Sequence, residues 1–243
     1  MNDARRSSDA VFATTRWTLV ARARGESPEA RLALSDLCEA YYGPVEAFIR
    51  RQVGDVQETR DLTQEFFARL LGGSGVGGAD PGRGRFRSYV LGAVKHFLHA
   101  EWVRRSAAKR GAGAEHVAFE PSTTTEVGLQ VADSGAVPAD VAFDQAWARA
   151  LLDRALNRLG AEMAAVGKGR HFEVLKGCLQ GASVVRPQAE LGEALGMSEA
   201  TVKVAIHRLR KRFRDVVRSE IAETLADGSL VDEEMRHLIQ ALA

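Results

Sequence analysis

Apolar residues return every three or four positions over most of the chain, and no segment alternates apolar and polar residues convincingly. That period belongs to helices that bury one face, so an all-α fold is expected. Thr14 or Thr15 is placed to cap a short helix carrying Trp17, Leu19 and Val20. Ser27 and Pro28 make an N-cap and first-turn pair. The helix they open should run to about Gln52, with Leu34, Leu37, Tyr41, Val45 and Phe48 on one face. Asp55 and Glu58 form a capping-box-like start for the next helix. It carries Leu62, Phe66 and Leu70 and should end before Gly72-Gly73. After a glycine-rich break to Gly84, a further helix is expected from Phe86 to Ser106, with Val90, Val94 and Phe97 facing inward.

Periodicity then fades into a Gly-, Ala-, Ser-, Thr- and Pro-rich stretch that includes Thr123-Thr124-Thr125, the composition of a flexible linker. Beyond it a second helical set begins near Phe143, with Trp147, Leu151, Leu152, Leu156 and Leu159 on its first helix. Another helix is expected over 168–179, then a break to Pro187, then two closely spaced helices. A short helix over 231–242 closes the chain. The expected organisation is a helical domain at 12–110, a linker at 111–142, a helical domain at 143–224 and an acidic extension at 225–243.

Composition narrows this picture only in places. The 243 residues suffice for two small domains, and 45% hydrophobic content supports packed cores and excludes global disorder. Cys38 and Cys178 lie far apart inside helical patterns, as reduced core thiols do; they make neither metal spacing nor a redox pair. The first ten residues lack a signal-type apolar run, and no stretch approaches the roughly 18 apolar residues of a membrane span. A cytoplasmic protein with no membrane partner is expected.

The net charge of +1 points to no partner, but the charge is clustered. The first cluster adjoins a helix-turn-helix pattern at about 187–214. Gly192 supplies the small residue that a close helix crossing needs, and Gly196 tolerates the positive φ of the turn. Leu191, Leu195, Met197, Val202 and Ala205 are spaced to lock the two helices, and Ser198 can cap the second. Its outward face would then carry Glu199, Ala200, Lys203, Val204 and His207 toward base edges in a major groove. From Lys203 to Arg218 the chain carries seven basic residues, including Arg208 and Lys211, and one acid, Asp215, a phosphate-binding field of +6.

The second cluster, Arg83 to Arg110, carries eight basic residues and one acid, Glu101, with Phe86, Tyr89, Phe97 and Trp102 interleaved. A basic helix with aromatics can hold backbone phosphates and stack unpaired bases. Phe86, Tyr89 and Phe97 fit core positions better; Trp102, set among charges, fits a functional face. The helix before it is acidic. Asp61, Gln64, Glu65 and the neighbouring Phe67 form a strip that would repel DNA and suit a protein partner.

These segments, taken in order, resemble the extracytoplasmic-function (ECF) sigma factors of bacterial RNA polymerase. Asp61-Leu62-Thr63-Gln64-Glu65-Phe66-Phe67-Ala68-Arg69-Leu70 looks like their core-polymerase-binding helix. Phe86-Arg87-Ser88-Tyr89-Val90 through Glu101-Trp102-Val103-Arg104-Arg105 is similar to their minus-ten region. Thr201-Val202-Lys203 and His207-Arg208-Leu209-Arg210-Lys211 resemble their region four. The resemblance covers about 12–110 and 143–218. It implies a non-enzymatic initiation factor without cofactor or metal, whose partners are core RNA polymerase and promoter DNA. Asp61, Gln64, Glu65 and Arg69 would dock on the polymerase. Lys95, His96, His99, Trp102, Arg104 and Arg105 would hold the opened minus-ten strand. Ser198, Glu199, Ala200, Lys203, Val204, His207, Arg208 and Lys211 would meet the minus-thirty-five element. The chain departs from the family pattern at Val204-Ala205, where many relatives have Ser-Arg, and at His96 and Glu101, where relatives often have Asn and Asp. The Thr15-Arg16-Trp17 segment and the acidic tail, Asp227 to Glu234, are additions. Whether an anti-sigma factor, a regulatory kinase or the tail itself acting as a brake controls activity is left open, as is the tail's simpler role as a helical cap.

Other classes fit less well. Gly73-Ser74-Gly75-Val76-Gly77-Gly78 matches G-x-G-x-x-G, but no strand precedes it and Asp80-Pro81-Gly82 follows where a helix should begin. His96 and His99 share a helix face without a third ligand, in a basic setting that opposes a cation. The alternative that stands is a conventional helix-turn-helix regulator, binding duplex DNA as a dimer.

Overall fold

The computed structural model describes residues 27–72, 85–109, 137–179, 187–225 and 228–243. The expected Trp17 helix, the glycine-rich loop, most of the linker and the break before Pro187 lie outside them, as does the Leu34 side chain. All regular structure among the described residues is helical, so the fold is all-α. The helices are α1 (Pro28–Val53), α2 (Val56–Gly72), α3 (Phe86–Lys109), α4 (Ala139–Ala165), α5 (Gly169–Leu175), α6 (Gln188–Leu195), α7 (Glu199–Ala222) and α8 (Val231–Leu242). No described helix is long and apolar enough to cross a membrane. Two compact units divide after Trp147, inside α4. That helix begins four residues ahead of the expected Phe143, and its first two turns belong to the first unit.

In the first unit α1 packs against α2 and α3. Leu37, Tyr41, Val45, Phe48 and Ile49 meet Leu62, Phe66 and Leu70 of α2 and Phe86, Val90, Val94 and Phe97 of α3 in one core. Tyr41 meets Phe86 edge-on at 5.2 Å between centroids, and Phe66 meets Phe97 at 5.7 Å. Pro44 lies inside α1 without ending it. The ring forfeits one helical hydrogen bond, and the burial of Tyr41, Val45, Phe48 and Ile49 around it carries the helix through. Asp55 Oδ1 accepts from the Glu58 N–H at 2.7 Å and caps α2. The Glu58 carboxylate turns instead to Arg105, so only the Asp55 half of the expected capping box is seen.

In the second unit α7 is the central beam. Val202, Ile206, Leu209, Val216, Val217 and Ile221 are buried along it. Arg154 and Arg158 of α4 meet Glu220 of α7, and Glu162, further along α4, meets Arg212, about two turns earlier on α7, so the two helices run antiparallel. Arg158 donates to Glu220 at 3.1 Å and to Glu223 at 2.9 Å. Burial opposes its charge, but these hydrogen bonds outweigh burial and hold the guanidinium above its ordinary pKa. The expected 168–179 helix is α5 followed by a tighter 3₁₀ turn, Lys176–Leu179. The tail forms α8, which packs on α7 through buried Val231 and Leu238.

Candidate nucleic-acid and protein interfaces

The helix-turn-helix is built as its residues require. Gly196 ends α6 at φ +65°, and the Met197 N–H donates to the Gly192 carbonyl at 2.9 Å. A Cβ on Gly192 would lie 2.6 Å from the Met197 carbonyl oxygen, so the crossing admits no side chain there. Ser198, extended at ψ 154°, accepts from the Thr201 N–H at 3.3 Å and caps α7. Leu191 and Val202 are buried in the lock as expected. Leu195, Met197 and Ala205 are only half-buried; Ile206 and Leu209 take the deeper positions. The reason is geometric: the stripe that starts at Val202 continues at i+4 and i+7, and Ala205 lies beside it.

Ser198, Glu199, Ala200, Lys203, Val204, His207, Arg208 and Lys211 are all exposed. Lys203, His207, Lys211 and Arg214 follow one another at helical spacing along the solvent face. The +6 field is smaller than the sequence suggests. Arg210 donates through Nε and Nη2 to the Cys178 carbonyl at 3.2 and 3.1 Å. Arg212 donates through Nε and Nη2 to one Glu162 oxygen at 2.9 and 2.7 Å, and Arg218 reaches Asp232 of α8 at 2.5 Å. These three arginines tie α7 to its own unit. The tail meets the basic run at Arg218 and leaves Lys203, His207 and Lys211 exposed.

On α2, Asp61 and Gln64 are exposed and Glu65 and Arg69 lie beside them; Gln57 donates to Asp61 at 3.1 Å. Phe67 does not join this strip. It is buried and stacked on Tyr42 at 5.6 Å. Arg69 donates to Glu65 and to Glu101, each at 2.6 Å, and lies over the Phe97 ring at 5.0 Å. Desolvation opposes its charge, and the bonds to Glu65 and Glu101 outweigh that and raise its pKa. Arg104 bonds the other Glu101 oxygen. Glu101, 3% exposed, is thus held between two guanidinium groups, one from α2 and one from its own helix.

On α3, Lys95 and His96 are exposed, and Trp102 is 57% exposed, while Phe86 and Phe97 are core residues as expected. His99 stacks on Trp102 at 6.5 Å. Trp102 also walls a cavity of about 210 Å³ with Gln52, Val53, Glu58, Leu62, Leu98, Glu101 and Arg105. The cations of this face carry partners: Lys95 reaches Asp140 at 2.6 Å, Arg104 reaches Glu101, and Arg105 reaches Glu58. Arg87, counted in the basic cluster, is 6% exposed, bonds Asp144 at 2.5 Å and lies over the Trp147 ring. It anchors the start of α4 and does not face solvent. These pairings, and Ile206, were missed from the sequence. No group of three or more metal-ligating side chains occurs among the described residues.

No family model, no curated protein and no solved structure matches the chain.

Proposed function

We propose that the chain is a transcription initiation factor that binds core RNA polymerase and directs it to promoters. The observation that carries the reading is the uncovered, basic solvent face of α7 behind a glycine-built turn. Such a face suits a major groove, with Lys203 and His207 at base edges and Arg208 and Lys211 near phosphates. The rest of the reading rests on the resemblance and on the pairing of an acidic-faced α2 with an aromatic, basic α3. In this account Asp61, Gln64, Glu65 and Arg69 dock on the polymerase clamp. Lys95, His96, His99, Trp102, Arg104 and Arg105 hold the opened minus-ten strand, and the apolar cleft beside Trp102 supports contact with an unpaired base. The protein acts in the cytoplasm and is not an enzyme.

One observation favours the alternative, a conventional dimeric regulator: Lys95, Arg104 and Arg105 of α3 are occupied by carboxylates. Pull-down with purified core polymerase separates the two. Retention of the chain on core, with promoter-dependent transcripts in a reconstituted reaction, is the expected result. Duplex binding without core retention makes it a regulator. Lys203→Ala is expected to weaken duplex recognition by about 1–3 kcal/mol if the contact is to a base.

A further inference from the structure

We infer that the acidic start of α4 is an internal competitor for nucleic-acid phosphate on α3. The inference rests on the proposed role of α3 in holding a DNA strand and adds its regulation. Asp140 and Asp144 stand one turn apart on α4, on one side of the helix, within the first unit. Their partners on α3 run in the opposite order, Lys95 to Asp140 and Arg87 to Asp144.

The two contacts differ in kind. Arg87 and Asp144 are largely buried, and Arg87 is sandwiched against Trp147 at 5.0 Å. Breaking a pair this buried is costly, so this pair is a fixed anchor. Lys95 and Asp140 bond at 2.6 Å with both side chains about half exposed. A pair of that exposure gains little over water and is weakened by salt. The anchor therefore holds a carboxylate over Lys95 that a polyanion can displace.

Position gives the contact its consequence. Lys95, His99 and Trp102 follow at i, i+4 and i+7, so they share one stripe of α3. His99 and Trp102 are already stacked into a surface on which a base could lie. Asp140 occupies the cationic end of that stripe. A DNA strand laid along it must exchange one carboxylate for one phosphate at Lys95. The stripe thus discriminates against weak, isolated anions and opens to a chain of phosphates.

The test uses the full chain and a fluorescein-labelled single-stranded DNA of about twelve nucleotides, read by anisotropy at low ionic strength. Asp140→Asn and Asp140→Ser both suit a helix start. Each is expected to bind two- to fivefold more tightly than the parent, with an unchanged thermal midpoint. Lys95→Ala should bind more weakly, and Asp140→Asn should give no gain in that background. Equal or weaker binding by both Asp140 variants overturns the inference. So does a gain that persists without Lys95, or no binding by any variant. Transcription with core polymerase, scored in parallel, judges the proposed function separately. Loss of transcript in the parent sinks that function, and the affinities alone decide the competitor.

Discussion

Gly192 and Gly196 look alike in the sequence and do different physical work. At Gly192 the obstacle is backbone, a carbonyl oxygen that would lie 2.6 Å from an added Cβ and cannot swing aside. Gly192→Ala is expected to cost about 1–3 kcal/mol, the range of an overpacked site, and to spread the turn. At Gly196 space is open and the obstacle is φ +65°, so Gly196→Ala is expected to cost about 1–2 kcal/mol. Urea unfolding of the two variants, read with duplex affinity, checks both, and Gly192→Ala should lose affinity more than its stability loss alone implies. Cys38 offers a pH-dependent measurement. Burial pushes its thiol up to about 11 from 9.0. The folded state holds the proton more tightly than the unfolded chain does. Its stabilisation is therefore complete below about pH 9 and is lost as pH rises through about 11. Alkylation of native Cys38 at pH 8 is expected to be slow and to accelerate on unfolding. Legibility was highest at this scale. Gly192, Gly196 and Ser198 act within ten residues of one another, so their spacing alone displays their roles.

Between elements, the deciding quantity is where charge is left after a partner is removed. Asp144→Ala would take a carboxylate away from the buried Arg87 guanidinium, and a loss of about 3–5 kcal/mol, the range for breaking a buried pair, is expected. Glu101→Ala removes the buried member and leaves Arg69 and Arg104, both about half exposed, free to take water. A loss of about 1 kcal/mol is expected there, although Glu101 makes more bonds. Thermal or urea unfolding that ranked the two the other way would refute this. None of these pairings was legible in the sequence. Arg69 and Glu101 are 32 residues apart, and Arg87 and Asp144 are 57 apart. Charge runs display their sign locally, whereas the choice of partner depends on how helices cross. For that reason the sequence overcounted the cations available to phosphate on both α3 and α7.

At the scale of the molecule, the all-α fold was legible because helical period is a property of every segment. The first turns of α4 were harder to assign. Val137-Pro138-Ala139-Asp140 carries linker composition, yet its helix belongs to the first unit through Phe143 and Trp147, both buried. The tail was open in function and is now bounded. Truncation after Thr224 exposes what Val231 and Leu238 cover, and a loss of about 3 kcal/mol is expected at roughly 1.5–3 kcal/mol per buried side chain. Duplex affinity per folded molecule should stay unchanged, because the reading face is uncovered already. A rise in affinity of the truncated chain would revive the brake.

α7 runs 24 residues without a break, about 36 Å at 1.5 Å per residue. One end meets the turn and the other meets α8, with Arg212 and Glu220 fastened to α4 between them. Each residue along a helix turns the next by about 100°. A single inserted or deleted residue between Lys211 and Glu220 would therefore swing every fastening beyond it out of phase with its partner. The helix can exchange side chains on its solvent face with little consequence for the fold. Its residue count is frozen, so the solvent face of α7 can vary by substitution, with no change in length.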